Sequence, residues 1–447
     1  MSKVTLFATG DSMLSHSISA TPDEGFRDLV QMMRDADVTI TNVEMSYPGR
    51  GRHPSTTMHG TPMGADPNLL SEFEFLGVDL FALGNNHATD YGTDGLISTI
   101  EALERRNFRY AGAGRTLKEA RQACYFEAPG GRVAFISAGS SNARLALAAD
   151  IGIGDAGRPG IAPIRLQKTH FINKDKFQDL VAMLQEAGVN VASSGTTAPG
   201  IHFPYPDRNV YDGPPPGGVA VEGVHFVPDD VPRVQTDALP RDVDALIASV
   251  DEARRMADLV VVALHCHEGI QGRWNTDTPA EFLQPLAHKL IDAGAHAVVG
   301  HGPHMLRGVE IYRDRPIFYS LGNFIFNLET TQAFPMEVYE QQGMPLTSTT
   351  ADLYDAVTGY QKQPFFWESV VARFEFDDGK LTGVELHPIH MGRDLPRSRR
   401  GTPMLTSAEE GRRILTRLDG LSRGFGTAVE IEERDGRCIG RMVKLKS

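Results

Sequence analysis

Seven strand-like apolar runs in this chain each end in a short polar motif. The run at 4–8 leads into Gly10-Asp11, for example, and the run at 259–264 leads into His265-Cys266-His267. Open α/β sheets collect their active sites at the carboxyl ends of their strands. Polar residues that follow strands in distant parts of the chain are therefore expected to converge. The pattern predicts an α/β fold whose functional site is assembled from several strand ends.

Length, charge and cysteine content limit the classes of function. The chain has 447 residues, enough for a large core, and its net charge of −13 disfavours nucleic acid or an anionic membrane surface as the main partner. Three scattered cysteines do not suggest a disulfide framework and suit a reducing compartment. No apolar run reaches the length of a membrane span, and the first residues do not resemble a signal peptide. We therefore predict a cytoplasmic protein with no membrane or nucleic-acid partner, and the sequence leaves its oligomeric state open.

The alternation of strand and helix patterns predicts a core over residues 1–327 with a mostly parallel sheet. Residues 140–235 interrupt it with irregular, Pro- and Gly-rich sequence around one helical pattern at 174–187. Long irregular segments are often functional, so this insertion is predicted to cap the site. Residues 328–447 are expected to pack on the core as a loop, two hairpins at 369–389 and 428–444, and a helix at 407–421.

Five of the polar motifs carry groups that bind metals, and each has a structural alternative. Gly10-Asp11 and Asn42-Val43-Glu44 are equally typical of turns, and Gly84-Asn85-Asn86-His87 followed by Asp90 is also typical of an Asx turn with a helix cap. Either histidine of His265-Cys266-His267 alone is compatible with a core position. Gly300-His301-Gly302-Pro303-His304 is the strongest motif, because its glycines and proline allow two histidines to converge on a tight loop. Five such motifs after strands favour a metal centre over five unrelated turns.

The donor types define the metal chemistry. Carboxylate, amide and imidazole ligands suit one or two ions of Mn, Zn, Fe or Ca, and no thiolate pair points to a softer metal. Strand alternation predicts that Cys266 points away from its neighbouring histidines, into the core. His87 with Asp90 has the composition of a histidine held by a carboxylate, which suits proton transfer.

The order of the motifs resembles the CapA family, which is named for poly-γ-glutamate capsule synthesis and belongs to the calcineurin-like metallophosphoesterases. The resemblance extends discontinuously over about residues 4–327 and implies a four-layer α-β-β-α sandwich with a metal site at its strand ends. The matching segments are Gly10-Asp11-Ser12-Met13-Leu14, Asn42-Val43-Glu44, Gly84-Asn85-Asn86-His87-Ala88-Thr89-Asp90-Tyr91-Gly92, His265, Gly300-His301-Gly302-Pro303-His304 and Tyr319-Ser320-Leu321-Gly322-Asn323-Phe324.

When the family's functional positions are matched to this sequence motif by motif, the resemblance implies six metal ligands and a catalytic histidine. His87 falls at the position of the catalytic histidine of phosphoesterases, with Asp90 orienting it. The implied metal ligands are Asp11, Glu44, Asn86, His265, His301 and His304.

Three positions depart from the family's pattern. The wider phosphoesterase pattern has a histidine ligand two residues after the first aspartate, where this chain has Met13, and its second aspartate is replaced by Glu44. A reduced ligand set would free Asp11 to act as an acid or base. His267 has no counterpart in the common CapA motif and is interpreted either as a second proton-transfer group or as a structural histidine. Arg307 is expected to bind a substrate carboxylate or, more simply, to carry surface charge.

Three classes of function are compatible with these residues. Some CapA-like proteins resemble the epimerases of lasso-peptide pathways, and we favour a metal-dependent peptide epimerase in which Asp11 pairs with His87, His267 or His304 as the two acid/base groups. The altered motif around Met13 and the additional His267 support this choice. Capsule members of the family usually carry a membrane anchor, and none is predicted here, which also supports it. The alternatives are a metal-dependent hydrolase of poly-γ-glutamate or of a phosphoester, and a non-catalytic polyglutamate-binding protein.

Overall fold

The computed structural model describes residues 2–55, 61–142, 146–150, 157–193, 215–221, 224–330, 334–345, 347–357, 359–360 and 362–445. The helices are α1 (Glu24–Arg34), α2 (Leu70–Leu76), α3 (Gly92–Arg105), α4 (Leu117–Arg121), α5 (Lys174–Glu186), α6 (Pro240–Ala253), α7 (Leu283–Ala293), α8 (Met336–Gln341), α9 (Thr350–Ala356) and α10 (Ala408–Ser422). Among the described residues, no helix combines the length and the apolar character that crossing a membrane requires.

The strands also follow in chain order. The first thirteen are β1 (Val4–Met13), β2 (Val38–Val43), β3 (Leu80–Ala82), β4 (Arg109–Ala111), β5 (Ala113–Gly114), β6 (Cys124–Ala128), β7 (Gly131–Gly139), β8 (Gly160–Ile161), β9 (Leu166–Asn173), β10 (Ala192–Ser193), β11 (Val219–Val221), β12 (Val224–Asp229) and β13 (Arg233–Ala238). The others are β14 (Leu259–His265), β15 (Ala297–His301), β16 (Val309–Tyr312), β17 (Arg315–Phe318), β18 (Asn323–Phe326), β19 (Glu368–Asp377), β20 (Lys380–His390), β21 (Met404–Leu405), β22 (Thr427–Arg434) and β23 (Arg437–Lys444).

Two large sheets contain most of these strands, and their central strands are parallel. The first has the order β22-β23-β20-β19-β1-β2-β3-β4, with β18 also paired to β1 and β21 paired to β20. The second has the order β16-β17-β15-β14-β7-β6. Strands β1 to β4 pair in parallel, as do β7, β14, β15 and β17. The prediction of a mixed α/β protein with parallel strands is therefore confirmed.

Each of the large sheets contributes side chains to two apolar clusters, because successive strand residues point to opposite faces. Leu6 and Ala8 of β1 share a buried cluster with Val261 of β14 and other residues of the second sheet. Phe7, between them in sequence, packs instead with residues of α1, α2 and α3. The opposite face of β14, through residues such as Val262, packs with α6 and α7. The carboxyl ends of the buried strands of both sheets thereby lie around one shared core.

The segment 140–235 is more regular than its composition predicts. The helix expected at 174–187 is present as α5, but strands β9 to β13 form a five-stranded sheet beside it. β10 and β11 have only two and three residues, and most side chains of β9, β12 and β13 are half-buried or exposed, so these strands do not produce an apolar run that sequence patterning can detect. Residues 194–214 and 222–223 of this segment lie outside the described part of the chain. A role of the segment as a cap stays a prediction.

The C-terminal hairpins and helix form where the sequence predicts them, as β19–β20, β22–β23 and α10. The hairpins are hydrogen-bonded into the first sheet, since β19 pairs antiparallel with β1 from Val4 to Ala8. Strand pairing therefore joins residues on both sides of the boundary that the sequence suggests at 327.

Candidate metal centre

Strand register brings the predicted site residues to one edge of the two sheets. In the first sheet, Asp11 of β1 lies opposite Asn42 of β2 and opposite Asn323 of β18. In the second sheet, His265 at the end of β14 lies opposite His301 at the end of β15. Because these strands are parallel, their polar ends face the same region, as the sequence pattern predicts.

Glu44 lies at the middle of the assembled site. Its carboxylate is fully buried, and neither oxygen has a hydrogen-bond partner. Oε1 is 3.5 Å from Nε2 of His265 and 3.5 Å from Nε2 of His267, and Oε2 is 3.7 Å from Nδ1 of His304. Burial raises the pKa of Glu44 to about 8. Since a buried carboxylate without a partner is costly, this position favours a cation between Glu44 and the three imidazoles.

Asp11 is also fully buried, but its carboxylate is well hydrogen-bonded. The side-chain amide of Asn42 donates to Oδ1 over 2.8 Å, and the backbone N–H of Gly302 donates to Oδ2 over 3.0 Å. Oδ2 also lies 3.8 Å from Nδ1 of His304. Burial and the nearby Glu44 carboxylate hold the pKa of Asp11 well above its usual range.

Two asparagines hold this part of the site in place. The amide of Asn85 donates to the backbone carbonyl of Val43 over 2.7 Å and to Oδ1 of Asn42 over 3.2 Å. Asn42 is thereby oriented with its own amide towards Asp11 and towards Nδ1 of His265, which is 3.3 Å away. Both asparagines stand in motifs that the sequence singles out, but no role is predicted for either of them from the motifs alone.

His267 belongs to the site and is supported by the loop that follows it. Its Nδ1 donates to Oδ1 of Asn275 over 2.8 Å, and its Nε2 is 3.3 Å from Oδ1 of Asn86. The indole of Trp274 stacks flat on the ring, with centroids 4.7 Å apart and planes inclined by 4°. Burial lowers the pKa of His267 to about 4, so the imidazole is neutral at physiological pH.

The two histidines of the glycine-rich loop are held differently. Nε2 of His301 donates to the carbonyl of Thr9 over 3.1 Å, and its buried Nδ1 has no hydrogen-bond partner. Nδ1 of His304 donates to Oδ1 of Asn323 over 3.0 Å, while the amide of Asn323 donates to two backbone carbonyls, those of His304 and Phe366. Burial lowers the pKa of His301 to about 4 and holds that of His304 well below its usual range. Each ring therefore keeps one nitrogen lone pair that a metal or proton can occupy.

His87 and Asp90 form the dyad that their spacing suggests. Nδ1 of His87 and Oδ2 of Asp90 are 2.6 Å apart, and Nε2 of His87 lies 3.9 Å from Oε1 of Glu44. Burial alone would lower the pKa of His87, but the carboxylate of Asp90, with a further contribution from Glu44, raises it to about 9. His87 is therefore protonated at neutral pH, unlike the other histidines of the centre.

The side chains fit a divalent cation in two overlapping groups. Ligand atoms of Glu44, His265 and His267 all lie within 4.8 Å of one another, and so do those of Asp11, Glu44 and His304. Unpartnered buried atoms on Glu44, His265 and His301 strengthen this fit. Asn86 lies beside the first group, because its Oδ1 is 3.3 Å from Nε2 of His267. His301 belongs to neither group.

A cavity of about 720 Å³ opens beside the centre. Met13, Asn86, His87, His267 and His304 line its inner end. The remaining lining is mostly apolar and aromatic and comes largely from the segments around residues 140–166 and 326–360.

Arg307 has neither of the roles that its sequence position suggests. It is fully buried, and its guanidinium donates to the backbone carbonyls of Thr276, Cys266, His267 and Glu268 over 2.9–3.2 Å. It therefore stabilises the loop after β14 instead of binding substrate or carrying surface charge. Cys266 is a buried core residue, as predicted.

Comparison with known proteins places these residues in a family. The profile described as "Bacterial capsule synthesis protein PGA_cap" matches residues 5–328. The chain is 31% identical to the uncharacterized protein y4sH of Sinorhizobium fredii over 97% of its length and 92% of that protein. It is 23% identical to the PGA biosynthesis protein CapA of Bacillus subtilis, over 83% of this chain and 80% of the relative. The capsule biosynthesis protein CapA of Bacillus anthracis is also 23% identical, over 73% of this chain and 60% of that protein.

Proposed function

Because the chain belongs to the bacterial capsule synthesis protein PGA_cap family of metallophosphoesterase-like CapA proteins, we propose that it is a metal-dependent enzyme that transfers protons on a peptide substrate. The fold that we propose is the four-layer α-β-β-α sandwich of that superfamily. The apolar cluster between the two sheets and the helix-covered clusters on their other faces support it.

We assign metal binding to Asp11, Glu44 and His265, with Asn86 and His301 as further ligands that the resemblance implies. The resemblance also implies His304, but its Nδ1 donates to Asn323 and its remaining lone pair is assigned below to proton transfer. One or two ions of Mn, Zn, Fe or Ca suit these donors. Such an ion, when bound, stabilises negative charge that develops on a substrate oxygen. Asp11, which the sequence suggests as an acid or base, is absent from the cavity lining, so we assign it to the metal alone.

The reaction that the geometry supports best is epimerisation at a peptide α-carbon. One observation carries this proposal: two histidines line the same cavity, and Nδ1 of His87 is held by the carboxylate of Asp90 whereas Nδ1 of His304 is held by the amide oxygen of Asn323. His87 has a pKa of about 9 and carries a proton at neutral pH, whereas the pKa of His304 lies well below its usual range. Groups whose surroundings separate their pKa values in this way are suited to act as an acid and a base. His304 removes the α-proton, and His87 returns a proton to the same carbon.

Incubation of the metal-loaded protein with candidate peptides in D₂O tests this reaction. We expect a gain of one dalton at an α-carbon, formation of a D-residue and no cleavage. His87→Asn and His304→Asn should each slow the exchange by about 10²- to 10⁴-fold, the usual contribution of a general acid or base. Deuterium incorporation at the wild-type rate in both variants would rule out this pair.

Hydrolysis is the second candidate, and the His87–Asp90 dyad supports it. A protonated histidine held by a carboxylate can also donate to a leaving group. Peptide fragments or released phosphate in the same incubation would establish this reaction instead. A polyglutamyl substrate is compatible with the description of the Bacillus subtilis relative as a PGA biosynthesis protein. Binding of polyglutamate without turnover would identify a non-catalytic binding protein, the third candidate.

We also propose a cytoplasmic location and no membrane or nucleic-acid partner. The three free cysteines and the net charge of −13 support this assignment.

A further inference from the structure

We infer that His267 is a metal ligand that supplies the imidazole missing at Met13, and that Asn275 is the positioning residue that directs its Nε2 towards the metal. This inference rests on the proposed metal-dependent function. Met13 occupies the position of a histidine ligand in the wider phosphoesterase pattern. Met13 offers no imidazole, whereas ligand atoms of His267, Glu44 and His265 all lie within 4.8 Å of one another, and His267 lines the same cavity as Met13.

The hydrogen bonds around His267 fix which nitrogen is free. Nδ1 lies 2.8 Å from Oδ1 of Asn275, an atom that only accepts, so the single proton of the neutral imidazole is on Nδ1. Nε2 then presents a lone pair. Two side-chain oxygens face it, Oδ1 of Asn86 at 3.3 Å and Oε1 of Glu44 at 3.5 Å. Neither oxygen of Glu44 has a hydrogen-bond partner, so a cation bound at Nε2 would satisfy both the imidazole lone pair and the buried carboxyl.

The loop after His267 holds the ring in this orientation. The backbone N–H of Asn275 donates to the carbonyl of His267 over 3.0 Å, and Trp274 stacks against the face of the imidazole. Trp274 keeps this position although 56% of its surface is exposed. Arg307 binds the carbonyls of residues 266–268 from the buried side. His267 is thus pre-organised by three kinds of contact: stacking on one face of the ring, a hydrogen bond at Nδ1 and hydrogen bonds to its backbone carbonyl. Metal-binding histidines are commonly held in this way.

Calorimetric titration of Zn²⁺ into the full-length, metal-free protein tests the inference. Asn275→Ala should weaken Zn²⁺ binding by about 10- to 100-fold, the usual effect of removing a residue that orients a ligand. Asn275→Asp should restore it, because a carboxylate also accepts the Nδ1 proton. His267→Gln should weaken binding at least as much as Asn275→Ala. Asn68→Ala, an exposed asparagine distant from the site, is the matched control and should bind as the wild type does.

The tautomer gives a readout that a merely structural role of Asn275 would not move. Two-bond ¹H–¹⁵N spectra of the histidine-labelled, metal-free protein should show His267 protonated on Nδ1 in the wild type and in Asn275→Asp. In Asn275→Ala, the fraction of His267 that is protonated on Nδ1 should fall.

Two results separate failure of this inference from failure of the proposed function. Wild-type Zn²⁺ affinity in both His267→Gln and Asn275→Ala, with binding lost in His265→Ala, would overturn the role of His267 and leave the metal centre intact. If the folded wild-type protein binds none of Zn²⁺, Mn²⁺, Fe²⁺ or Ca²⁺, the proposed metal-dependent function itself fails.

Discussion

Replacing Glu44 with glutamine tests whether the centre of the site is built for a cation. The Glu44 carboxyl has a pKa of about 8 in the folded protein, compared with an ordinary value of 4.5. Between these two values the folded protein binds more protons at this position than the unfolded chain. Raising the pH through this window therefore destabilises the metal-free protein, because the unfolded chain ionises the carboxyl more readily.

The size of this effect follows from the two pKa values. Between about pH 5.5 and about pH 8, linkage predicts that Glu44 lowers the free energy of unfolding of the wild type by about 3 kcal/mol. Glutamine has nearly the same shape as glutamate but does not titrate. The Glu44→Gln variant should therefore lack this pH-dependent decrease in the free energy of unfolding. The buried histidines titrate in both proteins and largely cancel in the comparison.

Urea unfolding in the presence of a chelator, at both pH values, measures the difference. At about pH 8, added metal should stabilise the wild type and have a much smaller effect on Glu44→Gln, because a ligand that binds only the folded state raises its stability. Equal pH dependence of the two metal-free proteins would refute the reasoning, since it would mean that the Glu44 carboxylate is stabilised by something other than a cation.

Three further predictions concern the ligands, the proton donor and the buried guanidinium. His301→Ala and Asn86→Ala should each reduce the metal content of the purified protein, measured by plasma mass spectrometry. Asp90→Asn should lower the pKa of His87 from about 9, so the alkaline limb of the pH–rate profile should move to lower pH, because activity needs protonated His87. Arg307→Met should lower the free energy of unfolding in urea by about 3 kcal/mol or more, since four backbone carbonyls, two of them fully buried, lose their donor.

Each of these has an outcome that contradicts it. Unchanged metal content in His301→Ala or Asn86→Ala would remove that residue from the ligands. An alkaline limb that stays in place in Asp90→Asn would show that a group other than His87 supplies the proton. An unaltered unfolding transition in Arg307→Met would mean that the loop after β14 does not depend on the guanidinium.

Much of the fold and the position of the site could be predicted from the sequence. Buried parallel strands appear in the sequence as apolar runs. A polar residue directly after such a run lies at the carboxyl edge of the sheet, where the site of an open α/β sheet is found. The pairing of His265 with His301 across β14 and β15 follows directly from this geometry. The hairpins near the C-terminus were predictable for a related reason, because alternating residues and a tight turn mark them locally.

The supporting hydrogen bonds could not be predicted. Asn42, Asn275 and Asn323 act through the orientation of a side-chain amide, which depends on neighbours far away in sequence. The burial of Arg307 has the same origin, since its partners are backbone carbonyls that carry no sequence signature. Strands β9, β12 and β13 of the five-stranded sheet are mostly half-buried and lack the apolar run that would have revealed them.

The position of β1 has a consequence for how the protein is made. Asp11 emerges early in synthesis, but its strand is paired on one side with β2 and on the other with β18 and β19, which are translated more than 300 residues later. Such distant pairings must wait until most of the chain has left the ribosome, and they make folding slow. The nascent chain therefore exposes Asp11 and Glu44 long before it has the histidines of β14 and β15. The complete set of proposed metal ligands is therefore present only after the chain has been synthesised beyond His301.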